Sequence, residues 1–519
     1  MLRGLIPGGG NRPFLNFGKL SAIVVLRNIC DFAGYEDMLF SSIRYVVFLT
    51  VNVLLYYMLP YRHRPYLLLA SSIYFYAAWD PFSVLWLLAV TAISYSAGRS
   101  LSRCHSPLKR KKITVLSAGC ILFILFVFKY LDFLLLQVIH AAGAFGLHLS
   151  SGTGTGFLSV AAPIGISFYS FQALGYIFDV SGGKTEASRD PVRYALSIAF
   201  FVHILQGPID RSGLLLPQLD ERHDFEYDSF CHGLAIFLFG AFKKVVIADR
   251  LAILVNTVYG NVNDYRGQAF WIASVFYTFQ IYCDFSGYTD MALGSAELMG
   301  FRLSENFRRP YLATSVTDFW RRWHISLSRW FRDYVYIPLG GSRCSERRRD
   351  LNVMIVFLIS GLWHGAAWAF IIWGLLHGLC QVIGRYKARL SSRIFPDEHM
   401  WLRCFRTAVT FLIVNLLWIP FRVNSFRDLS VIFGRLFALT PGFRIDSLGM
   451  VKEDFFLSLL LILFVILTDV ISETKGGYNT LMKLPVFLRR SLYMLCIFVI
   501  ILFGVYGSLS AESFIYFTF

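Results

Sequence analysis

The sequence predicts an all-α protein, a polytopic bundle of transmembrane helices with re-entrant pieces. Three observations predict it. Hydrophobic residues fill 56% of 519 positions and charged residues only 16%, where soluble domains carry about 25% charged residues. Several windows are apolar over the roughly 20 residues needed to cross the hydrocarbon core. The basic residues gather in short loops between those windows, as they do on the cytoplasmic side of membrane proteins.

Taken in order, residues 45–59, 85–97, 113–139, 455–471 and 492–505 are nearly free of charge. Counting the less clean windows gives about eleven spans. The formal net charge of +16 would suggest nucleic acid in a soluble protein. Here the loop placement explains it, and no nucleic-acid partner is expected. Residues 99–112 carry six basic residues and no acid, whereas 140–156 carry neither Lys nor Arg. Residues 385–403 and 475–490 are basic again. With basic loops in the cytoplasm, the first helix starts outside and the C-terminus ends outside.

Residues 1–37 read differently. They hold Gly8, Gly9, Gly10, Pro7 and Pro13 with four basic residues, and make no convincing signal peptide. The expectation is an atypical extension outside the native protein, with the natural start at Met38; an intact mass that includes residues 1–37 would refute it. From 38 to 519 no soluble domain separates, so one transmembrane domain is expected.

Two apolar segments are interrupted, Pro163-Ile164-Gly165-Ile166-Ser167-Phe168-Tyr169 and Ser360-Gly361-Leu362-Trp363-His364-Gly365. Freed backbone at membrane depth needs protein or a water-filled cavity over it, so they predict a hollow in the bundle; a helix kink is the plainer alternative. The loops flanking 351–384 are both basic, so that stretch must enter and return, with Gly361 and Gly365 at its turn.

Ionisable groups in apolar segments are costly and therefore mark function. No Lys, Arg, Asp or Glu occurs from 351 to 384, which leaves the imidazole of His364 as the group there able to move protons. A histidine hydrogen-bonded between helices fits the same position. His324 lies in Asp318-Phe319-Trp320-Arg321-Arg322-Trp323-His324-Ile325-Ser326-Leu327-Ser328-Arg329-Trp330. On a helical wheel Trp320, Trp323, Leu327, Trp330, Phe331 and Tyr334 share one face and four arginines the other, the pattern of an interfacial helix with its basic side toward membrane lipid headgroups or cytosol. His324 falls at the apolar border. Asp284 and Asp290 sit in a third apolar stretch and call for ion-pair partners, with Arg308, Arg309 or Arg321 expected. Nine scattered cysteines without a C-x-x-C pair suggest buried small hydrophobes, neither disulfides nor a metal site. The sequence has no G-x-S-x-G or H-E-x-x-H motif. The P-loop-like ending at Gly183-Lys184-Thr185 and the H-x4-D spacing of His223 and Asp228 are discounted.

The blocks at 318–328 and 361–366 resemble the two signature blocks of the membrane-bound O-acyltransferases (MBOAT). Residues 163–172, 282–290, 334–341 and the ending Phe514-Ile515-Tyr516-Phe517 resemble the alginate O-acetyltransferase branch. The resemblance runs from about residue 38 to the C-terminus. It implies a helical bundle with a central tunnel in the cell inner membrane. It implies a donor, acetyl-CoA, entering from the cytoplasm as substrate, with no tightly bound cofactor, and an outer acceptor, either a periplasmic protein or the polysaccharide itself. It maps the catalytic histidine onto His364 and the second histidine onto His324. Arg321, Arg322 and Arg343 are read as phosphate contacts for coenzyme A. His364 would act as general base on an acceptor hydroxyl; an acyl-histidine intermediate is the alternative. His324 would hold the donor or stabilise the carbonyl oxygen. Two rival functions remain: D-alanyl, peptidoglycan or cellulose acyl transfer within the family, and a polysaccharide or lipid transporter outside it.

Overall fold

The computed structural model describes residues 38–145, 162–394, 399–423, 425–439, 443–475 and 484–506. The extension expected at 1–37 and the ending at 514–517 lie outside the described residues. Among the described residues there is no strand. Helices α1 (Ile43–Met58), α2 (Arg64–Ala77), α3 (Ser83–Ser102) and α4 (Pro107–Ala144) are followed by α5 (Ile166–Ser181), α6 (Pro191–Ala199) and α7 (Ser212–Asp220). Helix α8 (Tyr227–Ala241) passes through a π-helical segment, Phe242–Ala248, into α9 (Asp249–Gly260), and α10 (Gly267–Glu297) returns beside it. Two short helices, α11 (Val316–Arg322) and α12 (Ile325–Phe331), precede α13 (Glu346–His364) and α14 (Trp368–Ile394). Helices α15 (Met400–Arg422), α16 (Phe426–Arg435), α17 (Lys452–Lys475) and α18 (Val486–Phe503) complete the described chain.

The five apolar windows read from the sequence fall on α1, α3, α4, α17 and α18. Seven helical stretches among the described residues are long and apolar enough to cross a membrane, and α1 is a shorter apolar helix. The sequence count of about eleven is higher; the long helices α10 and α13 are not among the seven. The outer helices present their side chains outward, as Leu116 and Phe123 of α4 and Phe487 and Met494 of α18 show. Lipid is as apolar as those side chains, so their exposure costs nothing in a membrane.

The core sits around α10, whose Phe270, Tyr277, Cys283, Phe285 and Tyr288 are wholly buried. Small residues allow that packing. A Cβ on Gly240 of α8 would stand 2.6 Å from the Gly287 carbonyl oxygen of α10, and one on Gly233 2.9 Å from that of Gly294. The two backbones therefore touch, the close approach that glycine pairs permit between membrane helices.

This packing also corrects the assignment of partners for the α10 carboxylates. Lys243 lies 2.5 Å from Asp290, and Lys244 reaches Asp284 at 2.6 Å and Asp249 at 2.8 Å. The pairing is structural, as expected, but lysines of the π segment supply it. Arg308 and Arg309 pair instead with Glu305 and Glu473. Residues 318–334 also differ from the single amphipathic helix of the wheel. The helix stops at Arg322, His324 takes a left-handed backbone (φ 42°, ψ 55°), and a new helix begins at Ile325. Trp320, Trp323, Leu327, Trp330 and Phe331 are buried against protein and do not face lipid.

Candidate active site

Helices α13 and α14 form the expected entering-and-returning hairpin, but it turns at Gly365, Ala366 and Ala367, and Gly361, also expected at the turn, lies inside α13. A Cβ on Gly361 would fall 2.3 Å from the Phe370 carbonyl oxygen, and one on Gly374 2.3 Å from that of Phe357. The two backbones are thus in contact one turn before His364, the last residue of α13. That contact fixes where its ring stands. The ring is buried and packs edge-on against Trp363 (4.9 Å between centroids), Trp373 (5.0 Å) and Phe421 (5.1 Å).

His324 reaches the same place from the break between α11 and α12. A left-handed backbone costs a non-glycine residue about 1–2 kcal/mol, so tertiary contacts must hold it. Asn306 does so. Its carbonyl accepts from the Ile325 amide (3.0 Å), and its side-chain oxygen accepts from the Ser326 amide (3.2 Å) and hydroxyl (2.9 Å). The same oxygen lies 3.1 Å from His324 Nδ1. Since the Ser326 amide can only donate, that atom is the acceptor, and Nδ1 must carry the proton. His324 therefore presents Nε2 as an acceptor. Its ring stands edge-on to Phe285 (4.8 Å) and 5.9 Å from Trp363. Trp363 touches both histidine rings and bridges them.

Two cavities approach this cluster. The first, about 380 Å³, is lined by His364, Trp363 and the 365–367 turn on one side and by 162–168 with Phe128 and Lys129 on the other. It is the hollow that the two interrupted segments predict, and Gly165, at φ 76°, turns the chain into α5 beside it. The second, about 280 Å³, follows one stripe of α13 through Val353, Phe357 and Ser360. His364 is the next member of that stripe, four residues on. Trp320 lines this second cavity and lies 5.7 Å from Trp373, which packs on His364.

The predicted phosphate contacts divide. Arg321 is exposed and lines the second cavity with Arg332. Arg322 sits between Asp318 (3.1 Å) and Glu473 (3.0 Å), so its charge is already matched. Arg343 is exposed and is not among the residues lining either cavity. At the basic end of the hairpin, Arg389 lies 2.6 Å from Glu346 and holds its carboxyl below the usual carboxylate range.

Three residues of the site escaped the sequence reading. His377 of α14 lies within the same uncharged stretch as His364, so residue 364 is not the one imidazole there. It is wholly buried, and the Trp320 indole donates to its Nδ1 at 3.1 Å. Lys129 of α4 donates to the Trp363 carbonyl and to the Ser167 hydroxyl (3.3 Å). Asn306, which sets the His324 tautomer, belongs to a loop with no signal of its own. The charge in an otherwise apolar run was the available signal for Lys129.

The polytopic helical bundle thus holds a buried histidine pair, with His364 lining the first cavity and the second cavity ending short of it along α13. The family model of membrane-bound O-acyltransferases matches residues 19–419, and the chain belongs to that family: it is a multi-pass membrane acyltransferase. The match begins inside the segment read as an extension. The chain is similar to the probable alginate O-acetylase AlgI of Pseudomonas putida, 38% identical over 403 residues that cover 77% of this chain and 80% of the relative. It is also 38% identical over 390 residues to that of Pseudomonas aeruginosa, covering 75% and 72%. The peptidoglycan O-acetyltransferase of Helicobacter pylori is 33% identical over 436 residues, covering 77% and 80%.

Proposed function

We propose that the chain carries an acetyl group from acetyl-CoA, a cytoplasmic donor, across the inner membrane for O-acetylation of an exported polysaccharide such as alginate. One observation carries the reading: His364 and His324 both pack on Trp363, and His364 lines the first cavity while standing one turn beyond Ser360, which lines the second. The second cavity runs toward the basic start of α13, which the charge rule assigns to the cytoplasm. Arg321 and Arg332 at that cavity suit the phosphates of coenzyme A, while Arg322 and Arg343 do not share in it. The first cavity lies at the opposite end of α13 and suits the acceptor, a periplasmic protein or the polymer itself.

In this mechanism His364 takes the proton of the acceptor hydroxyl as its oxygen attacks the thioester carbonyl. The bond to sulfur breaks, and the coenzyme A thiolate leaves and recovers the proton from the imidazolium. A positioned base contributes about 10²–10⁴-fold, and the fixed meeting of two substrates adds proximity. His324, with Nδ1–H committed to Asn306, offers only a lone pair, so it suits holding a donor N–H or O–H and not a developing oxyanion.

The test is acetyl-CoA turnover by purified protein against His364→Ala. Loss of about 10²-fold or more supports the base; equal turnover refutes it. The identity to AlgI proteins favours alginate over peptidoglycan, and the family membership argues against a transporter.

A further inference from the structure

His324 sits at the neck of a loop, 306–325, whose two ends pair with each other. The Arg308 amide donates to the Arg322 carbonyl (2.8 Å), and the Ile325 amide to that of Asn306 (3.0 Å). Between these bonds Phe307 and Trp323 pack edge-on at 4.9 Å. Among the described residues, Arg309 (φ 46°) and His324 (φ 42°) are the non-glycine residues with a positive φ, and they stand at opposite ends of this loop. A left-handed backbone is unfavourable for a residue with a Cβ, so each needs contacts that hold it. Asn306 holds His324. Arg309 is held by Glu473 of α17, whose carboxylate spans the neck: Oε2 accepts from Arg309 Nη1 (2.9 Å) and Oε1 from Arg322 Nη1 (3.0 Å). Helix α17 is itself tied to the core one turn earlier, where Asp469 accepts from the Tyr282 hydroxyl of α10 at 3.1 Å. Asp469 and Glu473 are four residues apart and share a face of α17. Glu473 lies beyond residues 19–419, the stretch that the family model matches.

We propose that Glu473 is a positioning residue for His324: by clasping Arg309 and Arg322 it holds the two ends of the 306–325 loop together and so fixes where the His324 ring stands. It acts from α17 and touches no reacting group. An exposed ion pair would be worth little. Here the three side chains are only 24%, 27% and 17% exposed for Glu473, Arg309 and Arg322, and one carboxylate serves both arms. Opening either arm frees the Arg322–Trp323–His324 stretch to shift against Asn306, and a misplacement of about 1 Å at a reacting group costs on the order of 10²-fold in rate. The supporting residues around a site set its precision in this way. The inference rests on the acetyl-transfer reading for the task given to His324, whereas the clasp itself does not depend on it.

Two measurements on the full-length protein test it. The ring nitrogens of His324 are followed by NMR in protein carrying isotope-labelled histidine, and their signals are assigned by their loss in His324→Gln. Glu473→Gln is expected to move them from the Nδ1–H form toward the mixed-tautomer position. Glu305→Gln, which breaks an exposed pair with Arg308 in the same region, is expected to leave them in place. Unmoved His324 signals in Glu473→Gln would overturn the clasp. Acetyl-CoA turnover then shows whether the clasp acts through His324. Glu473→Gln is expected to slow the wild type by about tenfold or more, and the His324→Ala protein by less than about twofold. Equal losses in the two backgrounds would mean a general loosening of the fold and overturn the positioning role. A wild type without turnover would defeat the acetyl-transfer reading and leave the spectrum to decide the clasp. If Glu473→Gln does not assemble, Arg309→Gln cuts the same clasp from the other side and is judged by the same two results.

Discussion

Replacing Gly361 by Ala probes the placement of His364 without touching its chemistry. The new methyl would sit 2.3 Å from the Phe370 carbonyl oxygen and 3.1 Å from the carbon behind it, where ordinary contact begins at 3.4 Å. Both atoms are backbone, so no side chain can swing aside. The ends of α13 and α14 must part by about 1 Å, at an overpacking cost of roughly 1–3 kcal/mol. His364 is one turn away and moves with α13. A misplacement of about 1 Å at a reacting group costs on the order of 10²-fold in rate. The assay is thiol release from acetyl-CoA, run beside a thermal unfolding curve in the same detergent. Gly384→Ala, in α14 with nothing within 4 Å of its new methyl, is the control and is expected to match the wild type. A Gly361→Ala protein with wild-type turnover would refute the claim that this backbone contact positions the base.

Further outcomes follow from the same geometry. Asn306→Leu removes the acceptor for His324 Nδ1 and for Ser326, and is expected to cost about 1–3 kcal/mol of stability and to lower turnover, whereas Asn306→Asp keeps the acceptor and much of the rate; a melting curve with a turnover assay separates them. Lys244→Met leaves Asp284 and Asp249 facing each other without their cation, and is expected to cost about 3–5 kcal/mol, read as a lowered melting temperature. Adding Asp284→Asn is expected to recover part of that loss. Arg321→Ala is expected to raise the KM for acetyl-CoA more than Arg343→Ala, because only Arg321 lines the second cavity.

Most of the bundle was legible because hydropathy over about 20 residues is a one-dimensional signal. The hollow was legible for a related reason, since glycine and proline in an apolar run mark backbone that needs cover. What escaped depends on contacts between distant segments. The wheel drawn through 318–334 assumed continuous helix; the left-handed turn at His324 is held by Asn306, 18 residues earlier. The Asp284 and Asp290 partners were sought among nearby arginines, but the glycine contacts of α8 and α10 bring Lys244 and Lys243 alongside, 40 and 47 positions away in the chain. Lys129 was hidden as one charge in the 38-residue helix Pro107–Ala144, and its meaning appears only with Trp363 beneath it, 5.6 Å from Nζ. His377 was passed over because attention to charged residues made His364 stand alone in a stretch that holds two imidazoles.

The account turns on His364 and His324 serving one site through Trp363. A double-mutant cycle of acetyl-CoA turnover in His364→Ala, His324→Ala and the combined variant measures that directly. Residues that act as a unit lose together, so the double variant is predicted to be no slower than the worse single one. Losses that multiply would mean that the two imidazoles act independently of each other and would contradict the shared site.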